Sequence, residues 1–205
     1  MRQVTRWWWV RHAPVRDQPH IYGTRDVVAD VSDRDAFARL AQLLPRDAVW
    51  VRSHLTRTQQ TVEALAETGH PVSEPLVERD LGEQNFGEWQ GLTWDEIGSH
   101  GGATPHHKFW VAPASHRPPG GESFLEVIER VGAVIARLTA AHGGHNIIAV
   151  AHGGSIRAAL AHALGLDPEV ALGFAADNLA TTRIDHVSGP GLGGEWRVAF
   201  VNMRV

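Results

Sequence analysis

Basic side chains follow short apolar runs at three places in this 205-residue sequence. Arg11 and His12 come directly after the first run. Arg57 lies about one helical turn beyond the second run, and His152 and Gly153 follow the third. Arginine donates paired, charge-assisted hydrogen bonds to phosphate or carboxylate, and the free N–H groups at a glycine-rich helix start also bind anions. If the three places meet, they form a pocket for a dianion.

The Arg11-His12 pair carries little weight by itself. All but one of the 19 basic residues are arginine, Lys108 being the exception, and the chain has 13 histidines. Such a composition produces an Arg-His pair by chance. The pair gains significance because it follows a predicted buried strand and because His152 follows another. Ligands of open α/β sheets bind outside the carboxyl ends of the strands, so a functional role is favoured over coincidence.

The predicted elements place these residues at one edge of a sheet. Short apolar and β-branched runs predict buried strands, and apolar residues three or four positions apart predict helices. Ser32 with Asp35 predicts the start of the first helix, and Ser123 with Glu126 predicts a capping box. The alternation predicts a three-layer α/β/α sandwich with a mostly parallel sheet and an antiparallel edge. The predicted strands are 7–10, 48–51, 147–151, 181–185 and 196–201, and the predicted helices are about 32–45, 56–68, 94–97, 123–143 and 156–164.

Length and composition exclude several classes of protein. The length suits a single domain over residues 1–205, with an irregular lid-like insertion at about 84–122. A net charge of −4 and a pI near 6.3 give no basic field for nucleic acid. The absence of cysteine excludes a thiolate nucleophile and fits a cytoplasmic protein. No apolar run suits a signal peptide or a membrane span. We therefore expect a cytoplasmic monomer or homodimer that binds neither nucleic acid nor membrane.

Five motifs in this chain occur in an order that is very unlikely to arise by chance. They are Arg11-His12, Ser53-x-Leu55-x-Arg57-Thr58-x-x-Thr61, Leu81-x-Glu83-x-x-Phe86-Gly87-x-Trp89-x-Gly91, Gly120-Gly121-Glu122-Ser123 and His152-Gly153-Gly154-x-Ile156-Arg157. In this order they resemble the histidine phosphatase superfamily, which contains phosphoglycerate mutases and many phosphomonoesterases. Asn178 and the final predicted hairpin are also similar to that family. The resemblance implies a phosphoglycerate mutase-like fold.

The resemblance also implies a role for each motif residue. His12 would be the nucleophile that carries the phosphoryl group as a phosphohistidine. Glu83 would give a proton to the leaving alcohol and later take one from water. No metal and no other cofactor is implied. The candidate catalytic residues are Arg11, His12, Arg57, Glu83 and His152, and the candidate phosphate ligands in these motifs are Arg11, Arg57, His152 and Gly153.

These roles agree with the chemistry of the side chains. A neutral imidazole is a good nucleophile near pH 7. Phosphoryl transfer mainly requires in-line positioning and charge stabilisation, which arginines supply without a metal. Apolar neighbours such as Phe86 and Trp89 would favour the protonated carboxyl group that an acid requires.

The loop after His12 departs from the family pattern. Residues 13–15 are Ala-Pro-Val, where the family usually has Gly followed by Thr or Ser and then Asn, so the usual polar contacts to phosphate are missing. The later segment 21–26, Ile-Tyr-Gly-Thr-Arg-Asp, is most similar to the α-ribazole phosphatase branch. Gly23 and Arg25 are therefore further candidate phosphate ligands. Arg25 either replaces the missing contacts or lies in solvent.

Three functions are consistent with these residues. A phosphomonoesterase acting on a small phosphorylated metabolite is favoured. A mutase-type phosphotransferase is the second, but Gly154 stands where mutases usually have Asn, and the lid is shorter than a mutase normally carries. A binding protein without turnover is the third, and the presence of every expected active group argues against it.

Ordinary explanations are favoured for the lid histidines and the tryptophans, and Arg157 has two alternatives. Histidines 100, 106, 107 and 116 lie at irregular spacing in Gly/Pro-rich sequence, which favours a solvated lid over a metal site. Arg157 either supports the pocket from behind or forms a surface ion pair. The three consecutive tryptophans at 7–9 are expected to face both sides of the sheet, because successive strand residues point to opposite sides. Roles in the core and in a surface patch are favoured over stacking on a ligand.

Overall fold

The computed structural model describes residues 3–16, 20–100 and 107–205 of the chain. The strands are β1 (Gln3–Arg11), β2 (Val49–Arg52), β3 (Leu76–Val77), β4 (Asn146–Ala151), β5 (Thr181–Ser188) and β6 (Trp196–Met203). The helices are α1 (Arg34–Leu43), α2 (Thr56–Glu67), α3 (Trp94–His100), α4 (Phe124–Ala141), α5 (Gly153–Leu164) and α6 (Pro168–Leu172).

The described strands form one sheet in the order β3-β2-β4-β1-β5-β6. The first four strands of this order run parallel, whereas β5 and β6 are antiparallel to their neighbours. The predicted fold class, a mostly parallel sheet with an antiparallel edge and flanking helices, is confirmed. Because β1, β2 and β4 are adjacent and parallel, the residues that follow them emerge at the same edge.

Tryptophans of β1 face both sides of the sheet, as strand periodicity predicts. Trp7 and Trp9 stack with ring centroids 5.2 Å apart and pack in the core beneath α4 and α5. Trp8 lies in the core on the other side, with α1 and α2. All three indoles are buried. The sheet is therefore covered on both faces, which holds the strand ends in fixed positions.

Helix starts agree with the sequence prediction at α4 but not at α1. Ser123 and Glu126 form the predicted capping box. At α1 the predicted cap is wrong: Asp33, not Ser32, accepts a hydrogen bond from a main-chain N–H of the first turn. Ser32 is occupied elsewhere, because its hydroxyl accepts from Arg16 and its N–H donates to Asp30.

Between β3 and α4, the described residues 78–100 and 107–123 are mostly irregular. They contain short 3₁₀ turns at 79–81 and 87–89 and the predicted short helix α3, which extends to residue 100. Helix α6 and strand β3 were not predicted, because each has only a few residues and no clear periodicity. Within the described ranges, no helix has the length and apolar character needed to cross a membrane.

Candidate active site

His12 lies directly after β1 and is completely buried. Its Nδ1 is 2.7 Å from the carbonyl oxygen of Ala13, and its own carbonyl accepts a hydrogen bond of 2.8 Å from Asn178 Nδ2. The Ala13 N–H donates to Thr61 Oγ1. A carbonyl can only accept, so Nδ1 carries the proton. Nε2 therefore bears the lone pair, and it has no hydrogen-bond partner among the described residues.

The environment of His12 favours the neutral ring. Burial lowers the pKa of His12 well below its usual 6.5, and the positive charges of Arg57 and Arg11 lower it further. A neutral imidazole with a fixed Nδ1–H and a free Nε2 has the protonation state of a nucleophile.

Arg57 is the second residue of α2, and its side chain is completely buried. Its Nη1 donates to the Arg25 carbonyl at 2.9 Å and its Nη2 to the Gly23 carbonyl at 2.7 Å. Its Nε is 3.3 Å from Nδ1 of His152. The Tyr22 ring also lies against the guanidinium, with 4.9 Å between Cζ and the ring centroid. These contacts hold Arg57 firmly and leave two of its five N–H groups for an anion.

His152 lies directly after β4, and its ring centroid is 5.1 Å from that of His12. Because Arg57 Nε–H can only donate, Nδ1 of His152 accepts and Nε2 carries the proton. Nε2 is 2.7 Å from the Ser53 hydroxyl. The Thr58 hydroxyl donates to a main-chain carbonyl, so the Ser53 hydroxyl can donate to Thr58 and accept from His152. Burial, followed by the charge of Arg57, lowers the pKa of His152 well below 6.5.

Arg11 is the fourth basic residue at this edge. Its Nη1 donates to the Ala176 carbonyl at 2.6 Å, and its Nε is buried without a partner among the described residues. The guanidinium lies close to Gly153, the first residue of α5, since a Cβ on that glycine would be 3.8 Å from Arg11 Cζ. A free N–H of Arg11 and the start of α5 thus face the same region.

Glu83 is buried against the N-terminus of α5. Its Oε1 accepts hydrogen bonds of 3.0 Å from the N–H groups of Gly154 and Gln84. The position of Gly154 excludes a side chain, because a Cβ there would lie 2.4 Å from Glu83 Oε1. The same Cβ would lie 3.3 Å from Cζ2 of Trp110, so this indole lies near the carboxyl group. Trp89 stacks on His116, and the expected places of Phe86 and Trp89 beside Glu83 stay predictions.

Gly23 and Arg25 approach the site through their carbonyl groups. Gly23 has φ +47°, and a Cβ on it would lie 2.4 Å from Gln90 Oε1, so only glycine fits. The Arg25 side chain is exposed and lies across Gly91, where a Cβ would be 2.0 Å from its Nη1. Both residues hold Arg57, and a direct contact of either with phosphate stays a prediction.

Tyr22 and Trp110 lie at the site but were not assigned a role from the sequence. Tyr22 contacts Arg57, and its ring centroid is 6.3 Å from that of His12. Trp110 covers the guanidinium of Arg157 at 4.7 Å, and Arg157 Nε donates to the Phe174 carbonyl. Burial lowers the pKa of Arg157 to about 10. Arg157 therefore supports the pocket and is not a surface ion pair. Tyr22 and Arg157 lie within recognised motifs, whereas Trp110 has no such signal.

The lid histidines that were weighed as metal ligands have other partners where they are described. His107 lies 3.5 Å from Glu169, and His116 stacks on Trp89. His106 and the His100 side chain lie outside the described residues. Among the described residues, no group of three or more His, Cys, Asp or Glu side chains is arranged to hold a metal ion.

Two histidines, the buried Arg57, the partly buried Arg11 and a carboxyl group at this edge of the sheet form an arrangement that is chemically suited to phosphoryl transfer. The sequence pattern of the histidine phosphatase superfamily (branch 1) matches residues 7–199. The chain belongs to this superfamily, whose related members include phosphatases and phosphoglycerate mutases. A phosphorylated substrate is implied by this membership.

Three similar proteins illustrate the relationship. A bifunctional protein of Mycobacterium tuberculosis is 33% identical over 117 residues, which is 57% of this chain and 31% of that protein, so the chain spans about a third of it. A glucosyl-3-phosphoglycerate phosphatase of Mycolicibacterium vanbaalenii is 33% identical over 149 residues, 68% of this chain and 64% of that protein. The structure of a mycobacterial glucosyl-3-phosphoglycerate phosphatase in complex with VO3 is 28% identical, with a TM-score of 0.78 over 96% of this chain and 98% of that chain.

Proposed function

We propose that this protein is a metal-independent phosphomonoesterase that hydrolyses a small phosphorylated metabolite through a phosphohistidine at His12. The state of the His12 ring carries the proposal. Nδ1–H is fixed on the Ala13 carbonyl, and Nε2 is unpartnered beside buried arginines and a second histidine.

In the first step, Nε2 of His12 attacks phosphorus and forms the N–P bond as the P–O bond to the leaving group breaks. Arg11 and Arg57 stabilise the negative charge on the equatorial oxygens. The departing oxygen takes a proton from Glu83, which becomes a carboxylate. His12 carries a positive charge in the phosphoenzyme, and its Nδ1–H remains on the Ala13 carbonyl.

In the second step, water attacks phosphorus from the side that the leaving group has vacated. The Glu83 carboxylate takes a proton from this water, the N–P bond breaks, and inorganic phosphate is released. His12 returns to its neutral form and Glu83 to its protonated form. Both steps therefore need the same carboxyl group near the transferring oxygen.

The contacts of Glu83 favour one of its two oxygens as the acid. Oε1 accepts two main-chain hydrogen bonds, from Gln84 and from Gly154 at the start of α5. A protonated carboxyl group has one accepting oxygen and one that carries the proton. Oε2 is therefore the oxygen that would hold the proton and deliver it to the leaving group.

Mutase chemistry is the competing reaction in this superfamily. Mutases usually carry Asn where this chain has Gly154, and a Cβ at that position would lie only 2.4 Å from Glu83 Oε1. The carboxyl group of Glu83, where it lies here, leaves no room for that asparagine, and the lack of the mutase residue favours hydrolysis. Dependence of turnover on a bisphosphate primer would instead indicate a mutase.

Trapping of the phosphoenzyme tests the proposal. Protein mixed with 4-nitrophenyl phosphate and quenched in alkaline denaturant should carry an acid-labile phosphoryl group. His12→Ala should abolish this group and turnover, since no other nucleophile faces the site in the proposed mechanism. His145→Ala is the matched control, because His145 is exposed in the loop before β4, and it should behave as wild type.

Vanadate and chelator extend the same test. Vanadate mimics the five-coordinate phosphorus, and the VO3 complex of the similar mycobacterial phosphatase supports its use. Turnover should survive chelator and be inhibited by vanadate. A wild-type protein that hydrolyses no phosphoester in a panel including α-ribazole phosphate and sugar phosphates would favour the non-catalytic alternative. A requirement for added magnesium or zinc would exclude the metal-independent mechanism.

A further inference from the structure

Arg130 of α4 makes five hydrogen bonds at the loop that carries Glu83, residues 80–85, which we call the Glu83 loop. Its Nη1 donates to the carbonyls of Asp80 at 2.5 Å and Gly82 at 3.0 Å, and its Nη2 donates to the Glu83 carbonyl at 3.2 Å. Its Nε and Nη2 form a bidentate ion pair with Glu122, at 3.0 and 2.9 Å. All five N–H groups of the guanidinium are therefore used.

Glu122, the ion-pair partner of Arg130, forms hydrogen bonds to the residues that follow Glu83. Its Oε1 also accepts from the Asn85 N–H at 2.9 Å, and its N–H donates to the Asn85 carbonyl at 2.8 Å. Its carbonyl accepts from the Gln84 side chain. Both side chains of the ion pair are about 80% buried, with exposures of 19% for Arg130 and 20% for Glu122. The main chain on both sides of Glu83 is thus tied to one buried pair.

We propose that Arg130, with Glu122, is a positioning residue that holds Glu83 at the reacting oxygen. This inference rests on the proposed acid role of Glu83. Arg130 reaches Glu83 only through the main chain, so it does not act on the substrate directly. Its function is to fix the backbone from which the carboxyl group reaches the start of α5.

The geometry explains why arginine is needed at this position. Three carbonyls and two carboxylate oxygens surround the guanidinium, and its planar fork serves all five at once. A lysine has only three N–H groups and cannot replace it. Ser155 of α5 adds hydrogen bonds to the Leu81 and Gly82 carbonyls. The loop should therefore stay folded without Arg130, while the position of Glu83 becomes less well defined.

The test compares Arg130→Met with Glu83→Gln in single-turnover phosphorylation of His12. Nitrophenolate leaves without a proton, whereas the alkoxide of glycerol 2-phosphate needs one. Loss of a residue that orients a reacting group typically costs about 10- to 100-fold in activity. Arg130→Met should slow phosphorylation by glycerol 2-phosphate by about this factor and slow phosphorylation by 4-nitrophenyl phosphate much less. In the Glu83→Gln background, Arg130→Met should add little.

Arg137→Met is the matched control on the same helix. Arg137 also pairs with a glutamate, Glu78, at 2.7 Å, but its side chain is 57% exposed and this ion pair lies outside residues 80–85. It should leave both rates unchanged. Glu122→Gln is a milder second variant, since its amide oxygen can still accept from Asn85. It should reproduce the selective loss to a smaller extent.

Hydrogen exchange supplies a measurement that does not depend on activity. Arg130→Met should increase exchange at the amides of Gln84 and Asn85, which donate to Glu83 and Glu122. Equal rate losses with both substrates, additive effects with Glu83→Gln, or unchanged exchange would each overturn the inference. A wild-type protein that forms no phosphoenzyme would instead refute the proposed function itself.

Discussion

Replacement of Gly154 by alanine should move the proposed acid without removing it. The added Cβ would lie 2.4 Å from Glu83 Oε1, whereas ordinary van der Waals contact begins at about 3.4 Å. The carboxyl group must therefore retreat by about 1 Å, and it loses its hydrogen bond of 3.0 Å to the Gly154 N–H. A misplacement of about 1 Å at a reacting group can cost about 10²-fold in rate.

The helix itself should tolerate this change. Alanine is favoured over glycine in a helix by about 1 kcal/mol, so the gain in α5 offsets part of the repulsion. We expect a melting temperature close to wild type and a loss of about 10²-fold in kcat/KM for glycerol 2-phosphate. Phosphorylation by 4-nitrophenyl phosphate should be affected much less, because that leaving group needs no acid.

Gly194→Ala provides the control, because a Cβ on Gly194 meets nothing within 4 Å. Its kinetics should match wild type. The reasoning would be refuted if Gly154→Ala hydrolysed glycerol 2-phosphate normally. It would also be refuted if the rates with both substrates fell equally while the protein stayed folded. Gly154 would then be needed for a reason other than leaving space for the Glu83 carboxyl group.

Two further predictions concern the histidines. Ser53→Ala removes the partner of His152 Nε2–H, and an unsatisfied buried group costs about 1–3 kcal/mol. Urea denaturation should therefore show that the free energy of unfolding falls by an amount in this range. An unchanged denaturation midpoint would contradict the hydrogen-bond assignment. The pKa values of His12 and His152 are lowered by burial, so both rings stay neutral in the fold while the unfolded chain takes up protons below pH 6.5. The free energy of unfolding should therefore fall below pH 6.5, by up to about 1.4 kcal/mol per pH unit for each ring. His152→Asn should reduce this slope, and an identical slope in both proteins would refute the assignment.

The sheet and the strand-end residues are the features that the sequence predicts best. The apolar runs before Arg11 and His152 are short and unbroken, so strand type and the following polar residue are clear from local pattern. The capping box at Ser123 is equally local. The first helix shows the limit of this reasoning, because two adjacent residues, Ser32 and Asp33, both suit a cap. Which of the two caps the helix depends on Arg16, 16 residues earlier in the chain, because its guanidinium donates a hydrogen bond to the Ser32 hydroxyl.

The residues that hold the site in place, such as Arg130 and Trp110, could not be predicted in the same way. Arg130 meets the Glu83 loop across 47 residues of sequence, and its five contacts are mostly to carbonyls, which leave no trace in residue types. Trp110 lies in an irregular segment without periodicity, yet its ring covers Arg157. Main-chain acceptors and irregular loops are determined by tertiary packing, so residue pattern alone predicts neither.

The site carries more positive than negative charge, and this excess explains how the groups that hold its arginines in place serve phosphoryl transfer. Arg11 lies close to both Arg57 and Arg157, and burial lowers the pKa of Arg57 and of Arg157. Buried cations without full compensation are unfavourable in the empty protein. A phosphoryl dianion supplies the missing charge, and the arginines are already held by carbonyls, so little reorganisation accompanies binding. Carbonyl ligands hold a guanidinium without neutralising it, whereas carboxylate ligands would compete with the substrate. The same rule explains why the ion pair of Arg130 lies behind the Glu83 loop and not within the pocket.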